Sequence, residues 1–385
     1  MGAEDEGVFI ESGSFRVDRS RALETLKEHQ LEDAESLLLP WARCAVLLGA
    51  DSIHVDKDGR DVSMRFGGKA LDPGVLKDPF QALFDEPAAE DEPARQLAVG
   101  ILAAQRLSSS EVRIGSGPDR QTELGVSLRS FRAPRRALEK LRVACAMLEI
   151  PLFLCETRVS SLWEAAQASG QSFRKGTARG FLVDVPPRQS GRVHLYRQGV
   201  RVGETRADLS VPAVGHVNDD SFRLNASHSG VLQDMVLDYA VRQLEEHSSE
   251  LLRRMLAVLS AAAWSAEREQ AAAWLRHTAS GFLTDPEKDS ADPIRKALWE
   301  APLFETANGE RVSLAELWRQ CERSGSVTVA RARFPDPRVF RFRTRDEVVW
   351  MPDPSDYCLE NLFEGRLRQY DWKDSLRDIA HSWFR

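Results

Sequence analysis

The segment from Leu37 to Leu71 constrains the fold of this chain more than any other stretch. It opens with an apolar run that indicates a helix and stops at Gly49, and glycine commonly follows the last turn of a helix. Two stretches that alternate apolar and polar residues come next, Ser52–Asp56 and Asp61–Arg65, on either side of a Lys57-Asp58-Gly59-Arg60 turn. The segment therefore predicts a helix followed at once by a β-hairpin.

A Gly67-Gly68 corner ends the hairpin, so the order is helix, Gly49-Ala50, hairpin and glycine corner. This order resembles the opening of the GHKL ATPases, the superfamily of gyrase, MutL, histidine kinases and the ninety-kilodalton heat-shock chaperones. The resemblance implies an α/β (α+β) protein that begins with a Bergerat-type helix/sheet sandwich. It also implies that chaperone middle-domain-like α/β units, joined by helices, follow that sandwich.

The first nucleotide motif of that superfamily is a helix with E-x-x-x-N, which often continues as N-x-x-D-A-G-A. Placing Gly49-Ala50 on its Gly-Ala puts Pro40 at the glutamate, Cys44 at the magnesium-binding asparagine and Leu47 at the following aspartate. At the first motif this chain therefore lacks the acidic and amide side chains that the family uses.

The second motif, D-N-G-x-G, falls on the five residues from Phe66 to Ala70. Phe66 then stands where the resemblance expects the aspartate that holds the adenine amino group, and Gly68 falls on the motif's first glycine.

A strong apolar helix is predicted over Ala94–Leu107, behind an acidic, proline-bearing loop at Asp85–Pro93 in the position of the nucleotide lid. The corresponding chaperone helix begins G-x-x-G-V-G, with backbone amides facing the phosphates. Arg95 and Ala98 replace the first two glycines, and Gly100 alone remains. Close approach of a phosphate needs residues without a Cβ atom, so this motif is degenerate too.

A polar, glycine-rich and basic stretch, Gln167–Gly180, reads as a domain boundary. Strands are predicted at Gly180–Val185 and Arg192–Val202. The segment Val217–Ser229 then resembles V-D-S-x-D-L-P-L-N-x-S-R-E of the chaperone middle domain. The family's phosphate-binding arginine falls on His228, which is mostly neutral at pH 7 and cannot fork onto a phosphate.

The rest of the chain reads as helical over Val231–Phe282 and then as a small α/β/α unit with a helix at Ser313–Arg323 capped by Ser313. The predicted domains are residues 1–165 (degenerate GHKL domain), 180–245 (middle-domain-like unit), 246–290 (helical connector) and 291–385 (small α/β/α unit). We expect no room for the chaperones' C-terminal dimerisation domain.

Composition bounds the class of protein. The net charge of −7 argues against a general nucleic-acid binder, and no run approaches the roughly 20 apolar residues of a membrane span. The N-terminus lacks a signal peptide's basic start. The cysteines form no C-x-x-C pair, which favours reduced thiols in the cytoplasm. We therefore expect a cytoplasmic protein that binds neither nucleic acid nor a membrane.

We expect no catalytic residue, no metal site and no cofactor. Magnesium needs oxygen ligands, which the substituted positions do not supply. The degenerate nucleotide-site positions are Pro40, Cys44, Leu47, Phe66, Gly68, Arg95, Ala98, Gly100 and His228. Ser227 and His228 adjoin Asn225, but neighbours along a chain rarely meet in a catalytic triad.

The sequence thus favours a non-catalytic heat shock protein 90-like protein that binds another, unidentified protein as a scaffold, adaptor or client-holding chaperone. Phe66 and Trp41 would fill the former adenine pocket. One alternative is a divergent chaperone ATPase with ATP and magnesium, in which Glu35 or Glu32 reaches the site. Another is a partner-sensing subunit of a signalling or defence system. Two basic stretches, Arg129–Arg142 and Arg174–Arg206, are either solvated faces or surfaces for an acidic partner.

Overall fold

The computed structural model describes residues 18–29, 33–85, 88–108, 112–116, 121–159, 161–169, 171–185, 189–225, 230–260, 265–306, 309–330, 348–350 and 357–370. The chain divides into two compact units. Unit 1 is Met1–Ser161 with Gln198–Val200 and Leu224–Gly230, and unit 2 is Leu162–Arg197, Arg201–Arg223 and Val231–Arg385. The division into four domains stays a prediction.

Unit 1 contains five helices and six strands among its described residues. They are α1 (Arg19–His29), α2 (Leu38–Leu47), β1 (Ile53–Asp58), β2 (Asp61–Phe66), α3 (Pro73–Lys77), α4 (Glu92–Leu107), β3 (Arg113–Ser116), β4 (Thr122–Ser127), α5 (Ala133–Ala144), β5 (Leu152–Leu154) and β6 (Thr157–Val159). The strands form one sheet in the order β3-β4-β2-β1-β5-β6. β1 and β5 are parallel and the other recorded pairs are antiparallel. The mixed sheet and its helices confirm the α/β (α+β) class.

Local signals explain the start and end of α2. The Asp33 carboxylate accepts a hydrogen bond from the Glu35 N–H at 2.9 Å and caps a 3-10 turn at Ala34–Ser36. Pro40 lies in the first turn of α2, where a backbone N–H has no partner within the helix. Gly49 then leaves the helix with φ of 72°. The predicted stop of the helix at Gly49 is confirmed.

One face of the hairpin formed by β1 and β2 contributes to the core of unit 1. Ile53 pairs with Phe66 and Val55 with Met64, so all four side chains lie on the same face of the sheet. These residues are buried with apolar side chains of α2, α4 and α5 in one hydrophobic cluster. α2 contacts α4, α5 and β2, and α5 contacts β1. A layer of helices therefore covers the apolar face of the sheet, as the sequence predicts.

The segment Asp72–Phe84 forms two separate short elements. α3 ends at Lys77, and a separate 3-10 turn covers Gln81–Leu83. Asp78 precedes Pro79, and a residue before proline is pushed out of the helical region; Asp78 has φ of −143° and ψ of 82°. Proline therefore separates the two elements.

Unit 2 holds the remaining described elements, in three sheets. The elements are α6 (Leu162–Ala168), β7 (Ser172–Lys175), β8 (Ala178–Asp184), β9 (Arg192–Arg197), β10 (Val200–Arg206), β11 (Ala213–Asn218), α7 (Met235–Leu259), α8 (Ala266–Phe282), α9 (Pro286–Asp289), α10 (Pro293–Glu300), β12 (Phe304–Glu305), β13 (Arg311–Val312), α11 (Leu314–Ser324), β14 (Val327–Ala330), β15 (Val348–Trp350), α12 (Cys358–Leu362) and β16 (Leu367–Gln369). The sheet orders are β10-β9-β11-β8-β7, β12-β13 and β15-β14-β16.

The segment Gln167–Gly180, predicted to be a domain boundary, contains the end of α6, all of β7 and the start of β8. One strand prediction for this region is wrong. Arg192–Val202 is not one strand, because Gln198 and Gly199 turn the chain with φ of 51° and 74°. Two successive positive φ values are typical of a tight hairpin turn.

The predicted cap of α11 is confirmed. The Ser313 hydroxyl accepts a hydrogen bond from the Glu316 N–H at 3.2 Å, and the Glu316 carboxylate accepts one from the Ser313 N–H at 2.8 Å. This reciprocal pair is a capping box. Within the described ranges, no helix combines the length and apolarity needed to span a membrane.

Candidate functional site

The α2 positions that match the first nucleotide motif lie in or beside the core. Pro40 and Cys44 are buried and Leu47 is half-buried. Burial raises the pKa of the Cys44 thiol to about 12, so the group is neutral at physiological pH. None of the three side chains carries an oxygen for magnesium or a titratable group that could activate water at neutral pH.

Phe66 and Trp41 lie in the hydrophobic cluster of unit 1. Phe66, the last residue of β2, is 1% exposed, and Trp41 on α2 is 0% exposed. The indole N–H of Trp41 has no hydrogen-bond acceptor within the described part of the chain. An indole buried in this way contributes apolar area, which offsets the cost of the unpaired N–H.

Gly100 lets α4 approach α2. A Cβ atom added at Gly100 would lie 2.3 Å from Cδ1 and 2.3 Å from Nε1 of Trp41, and 3.1 Å from the carbonyl oxygen of Leu37. Distances near 2.3 Å are far below van der Waals contact. Gly100 therefore has a packing role, whether or not a phosphate ever approaches it.

Gly68 is explained by the backbone around it. Its φ is +103°, and an added Cβ would lie 2.4 Å from the carbonyl oxygen of Leu48. The N–H of Lys69 donates to the same carbonyl at 2.8 Å. The glycine corner is thus held against the end of α2. This backbone contact alone requires a glycine at position 68, so no nucleotide is needed to explain it.

The N-terminus of α4 carries acidic groups. Glu90 and Asp91 precede the helix and Glu92 is its first residue. Negative side chains are favourable at the positive end of a helix, but they repel a triphosphate brought to the same place. Ala98 is buried, and the Arg95 guanidinium donates to the carbonyl oxygen of Asp85. The acidic groups therefore oppose phosphate binding at this helix end.

A buried cation that the sequence did not predict lies beside these positions. Arg43 on α2 is 2% exposed and donates to Oε1 of Gln96 on α4 at 3.2 Å. Gln96 in turn donates to the Glu92 carboxylate at 2.9 Å. An arginine within an apolar helix is a weak signal for such a chain of polar contacts.

Glu35, one of the two acids that the ATPase alternative could use, is engaged elsewhere. Oε1 of Glu35 lies 3.0 Å from Nη1 of Arg136, and its Oε2 lies 3.5 Å from Nζ of Lys140. These ion pairs join the segment before α2 to α5. Glu32 and His228 lie outside the described residues, so their positions stay predictions.

Unit 2 contains a histidine cluster that sequence spacing did not indicate. His216 on β11 pairs in register with His194 on β9, and its Nδ1 lies 2.8 Å from the hydroxyl of Tyr196. The ring of His216 also stacks on Phe181 at 4.5 Å. Burial is the main cause that lowers the pKa of His216 to about 3 and that of His194 to about 4. Both rings are neutral at physiological pH.

Among the described residues, no group of three or more histidine, cysteine, aspartate or glutamate side chains is arranged to hold a metal ion. The cysteines at positions 44, 145, 321 and 358 are buried, and Cys155 is exposed.

Comparison with known proteins adds little. No protein-family model matches the chain, and no curated protein does. Among solved structures it is similar to the B subunit of DNA gyrase from Myxococcus xanthus, at 10% sequence identity and a TM-score of 0.39. The match covers 60% of this chain and 96% of the gyrase chain. A match of this size carries neither the fold nor the function of gyrase over to this chain.

Proposed function

We propose that this chain is a non-catalytic, heat shock protein 90-like protein of the GHKL type that has lost its ATP site and acts by binding another protein. It would serve as a scaffold, an adaptor or a client-holding chaperone. One observation carries the proposal: Trp41, Cys44 and Phe66 are each no more than 1% exposed, in a packed apolar cluster. A nucleotide would have to displace these side chains.

The chemistry of the surrounding groups supports the same proposal. The position of the catalytic glutamate holds a proline, which cannot accept a proton. The position of the magnesium ligand holds a buried thiol that stays neutral at physiological pH. Acidic residues occupy the helix end where phosphates would bind. Loss of binding and loss of hydrolysis therefore have separate physical causes.

A cytoplasmic location is part of the proposal. Free thiols at positions 44, 145, 155, 321 and 358 support a reducing compartment.

Calorimetric titration with ATP and ADP in the presence of magnesium tests the lost site. We expect no binding heat at millimolar nucleotide and no ATP hydrolysis above the buffer rate. Glu35→Ala should behave like the wild type in both assays, because Glu35 has a structural ion pair. Magnesium-dependent binding with turnover that disappears in Glu35→Ala would overturn the proposal and establish a divergent ATPase.

A further inference from the structure

Helix α5 carries two groups of cationic side chains, and one of them belongs to the fold. Arg136 and Lys140, four residues apart and on the same side of the helix, form ion pairs with Glu35. Lys140 also contacts the carboxylate of Asp33. These two cations hold the segment before α2 against α5.

The second group faces solvent. Arg132, Arg135 and Arg142 are exposed, and their spacing of three and seven residues places them along one side of α5. Within the described residues their guanidinium groups make no hydrogen bond or ion pair with protein. Glu139 is an exposed acidic residue on this side. Three unpaired cations therefore share a strip with one carboxylate.

Exposed apolar side chains border these arginines. Phe131, just before α5, is 67% exposed, and the Arg60 guanidinium lies over its ring at 4.1 Å from the centroid. Val143 is 57% exposed on the last turn of α5. We call the surface formed by Phe131, Arg132, Arg135, Arg142 and Val143 the α5 face. It combines positive charge with apolar area, which is typical of a binding surface.

Helix stability does not explain the two arginines at the start of α5, Arg132 and Arg135. The first turn of α5 has no acidic residue, whereas Arg132 and Arg135 lie near its positive end. Cations at that end of a helix are unfavourable, and an unpaired surface arginine adds no ion-pair energy. The arginines at the start of α5 therefore cost stability in the isolated protein.

We propose that the α5 face binds an acidic peptide segment of a protein partner. Carboxylates of the segment would pair with Arg132, Arg135 and Arg142, because a guanidinium fork matches a carboxylate. An apolar side chain of the segment would pack on Phe131. The net charge of −7 favours a peptide over a nucleic acid, whose dense phosphates the rest of the protein would repel. The proposal rests on the protein-binding function proposed above.

Fluorescence anisotropy on the full chain provides the test. The probe is a labelled glutamate-rich peptide with a central phenylalanine, and the control peptide has glutamine in place of glutamate. The test variant is Arg132→Glu/Arg135→Glu/Arg142→Glu. The matched control, Arg206→Glu/Arg242→Glu/Arg253→Glu, reverses three exposed arginines of unit 2.

We expect the α5 variant to bind the glutamate peptide at least tenfold more weakly than wild type, and the matched control to stay within about twofold. The glutamine peptide should bind weakly to every variant. Phe131→Ala should weaken binding severalfold, and it provides a readout if the triple variant does not fold. Equal losses in the two triple variants, unchanged binding in the α5 variant, or tighter binding of a single-stranded oligonucleotide than of the peptide would overturn the proposal.

The peptide-binding result is independent of whether the ATP site is lost. Nucleotide calorimetry on the same wild-type sample tests the lost site alone. If neither the peptide nor the nucleotide binds, only the α5 proposal is overturned.

Discussion

Gly100→Ala tests whether Gly100 serves packing or phosphate binding. The added methyl group would lie 2.3 Å from the indole of Trp41, which is completely buried and cannot move into solvent. Overpacking of a buried site costs about 1–3 kcal/mol. Alanine is a better helix former than glycine by about 1 kcal/mol, which offsets part of the cost. We expect a net loss of up to about 2 kcal/mol in the free energy of unfolding.

Calorimetric or circular-dichroism melting measures this loss, and about 2–4 °C per kcal/mol is expected for a unit of this size. Gly67→Ala is the matched control, because an added Cβ there meets no atom within 4 Å. Trp41→Leu supplies the second background, since it removes the indole. In that background Gly100→Ala should cost at least about 1 kcal/mol less, which a double-mutant cycle reports as coupling. A stabilising effect of Gly100→Ala in the wild-type background would refute the packing explanation, because helix propensity alone predicts that sign.

Three further predictions concern stability. Asp289→Ala should cost about 1–3 kcal/mol of the free energy of unfolding in urea. The buried carboxylate accepts hydrogen bonds from Arg295 at 2.9 Å and Trp299 at 3.1 Å, but Arg295 is partly exposed and keeps its ion pair with Asp292. A loss below about 0.5 kcal/mol would contradict this. Glu156→Gly should raise the free energy of unfolding by about 1 kcal/mol in the same assay, because residue 156 has φ of 66°. A lower free energy of unfolding would show that the glutamate side chain matters more than the strained backbone. His216 has a pKa of about 3 in the folded protein and near 6.5 in the unfolded chain. Its contribution to the free energy of unfolding is therefore fully present above pH 6.5 and is lost as the pH falls toward 3. Between pH 6 and 4, His216→Gln should flatten the pH dependence of the unfolding free energy by up to about 1.4 kcal/mol per pH unit, and an unchanged slope would contradict the burial of a neutral ring.

Local signals in the sequence predicted the elements that depend on neighbouring residues. Gly49 marked the end of α2, the alternating residues around Gly59 marked the hairpin, and Ser313 with Glu316 marked the start of α11. Each signal acts within a few residues, through a cap, a turn or an apolar period. Such features can be predicted without knowledge of the rest of the fold.

Features that depend on distant parts of the chain escaped prediction. The strand β7 is short, polar and paired only through its neighbour β8, so its sequence resembles a linker. The turn between β5 and β6 uses Cys155 and Glu156 at positive φ, where glycine or asparagine is the usual signal. The His194–His216 contact exists only because β9 and β11 pair in that register.

The contacts of the candidate site could not be predicted. The resemblance assigns Phe66, Cys44 and Gly100 to nucleotide-site positions, and this assignment stays a prediction. The structure buries all three residues. Nothing in the sequence indicated that Gly100 contacts Trp41 or that Arg43 is buried beside Gln96. Those contacts depend on how α2 packs against α4.

Amide hydrogen exchange, followed by mass spectrometry with and without millimolar ATP and magnesium, tests the central claim most directly. We expect slow exchange in α2 (Leu38–Leu47) and β2 (Asp61–Phe66), because both belong to the packed cluster, and no change when nucleotide is added. Slower exchange of these two segments in the presence of ATP and magnesium would show that a nucleotide enters the core, and it would contradict the claim that the site is lost.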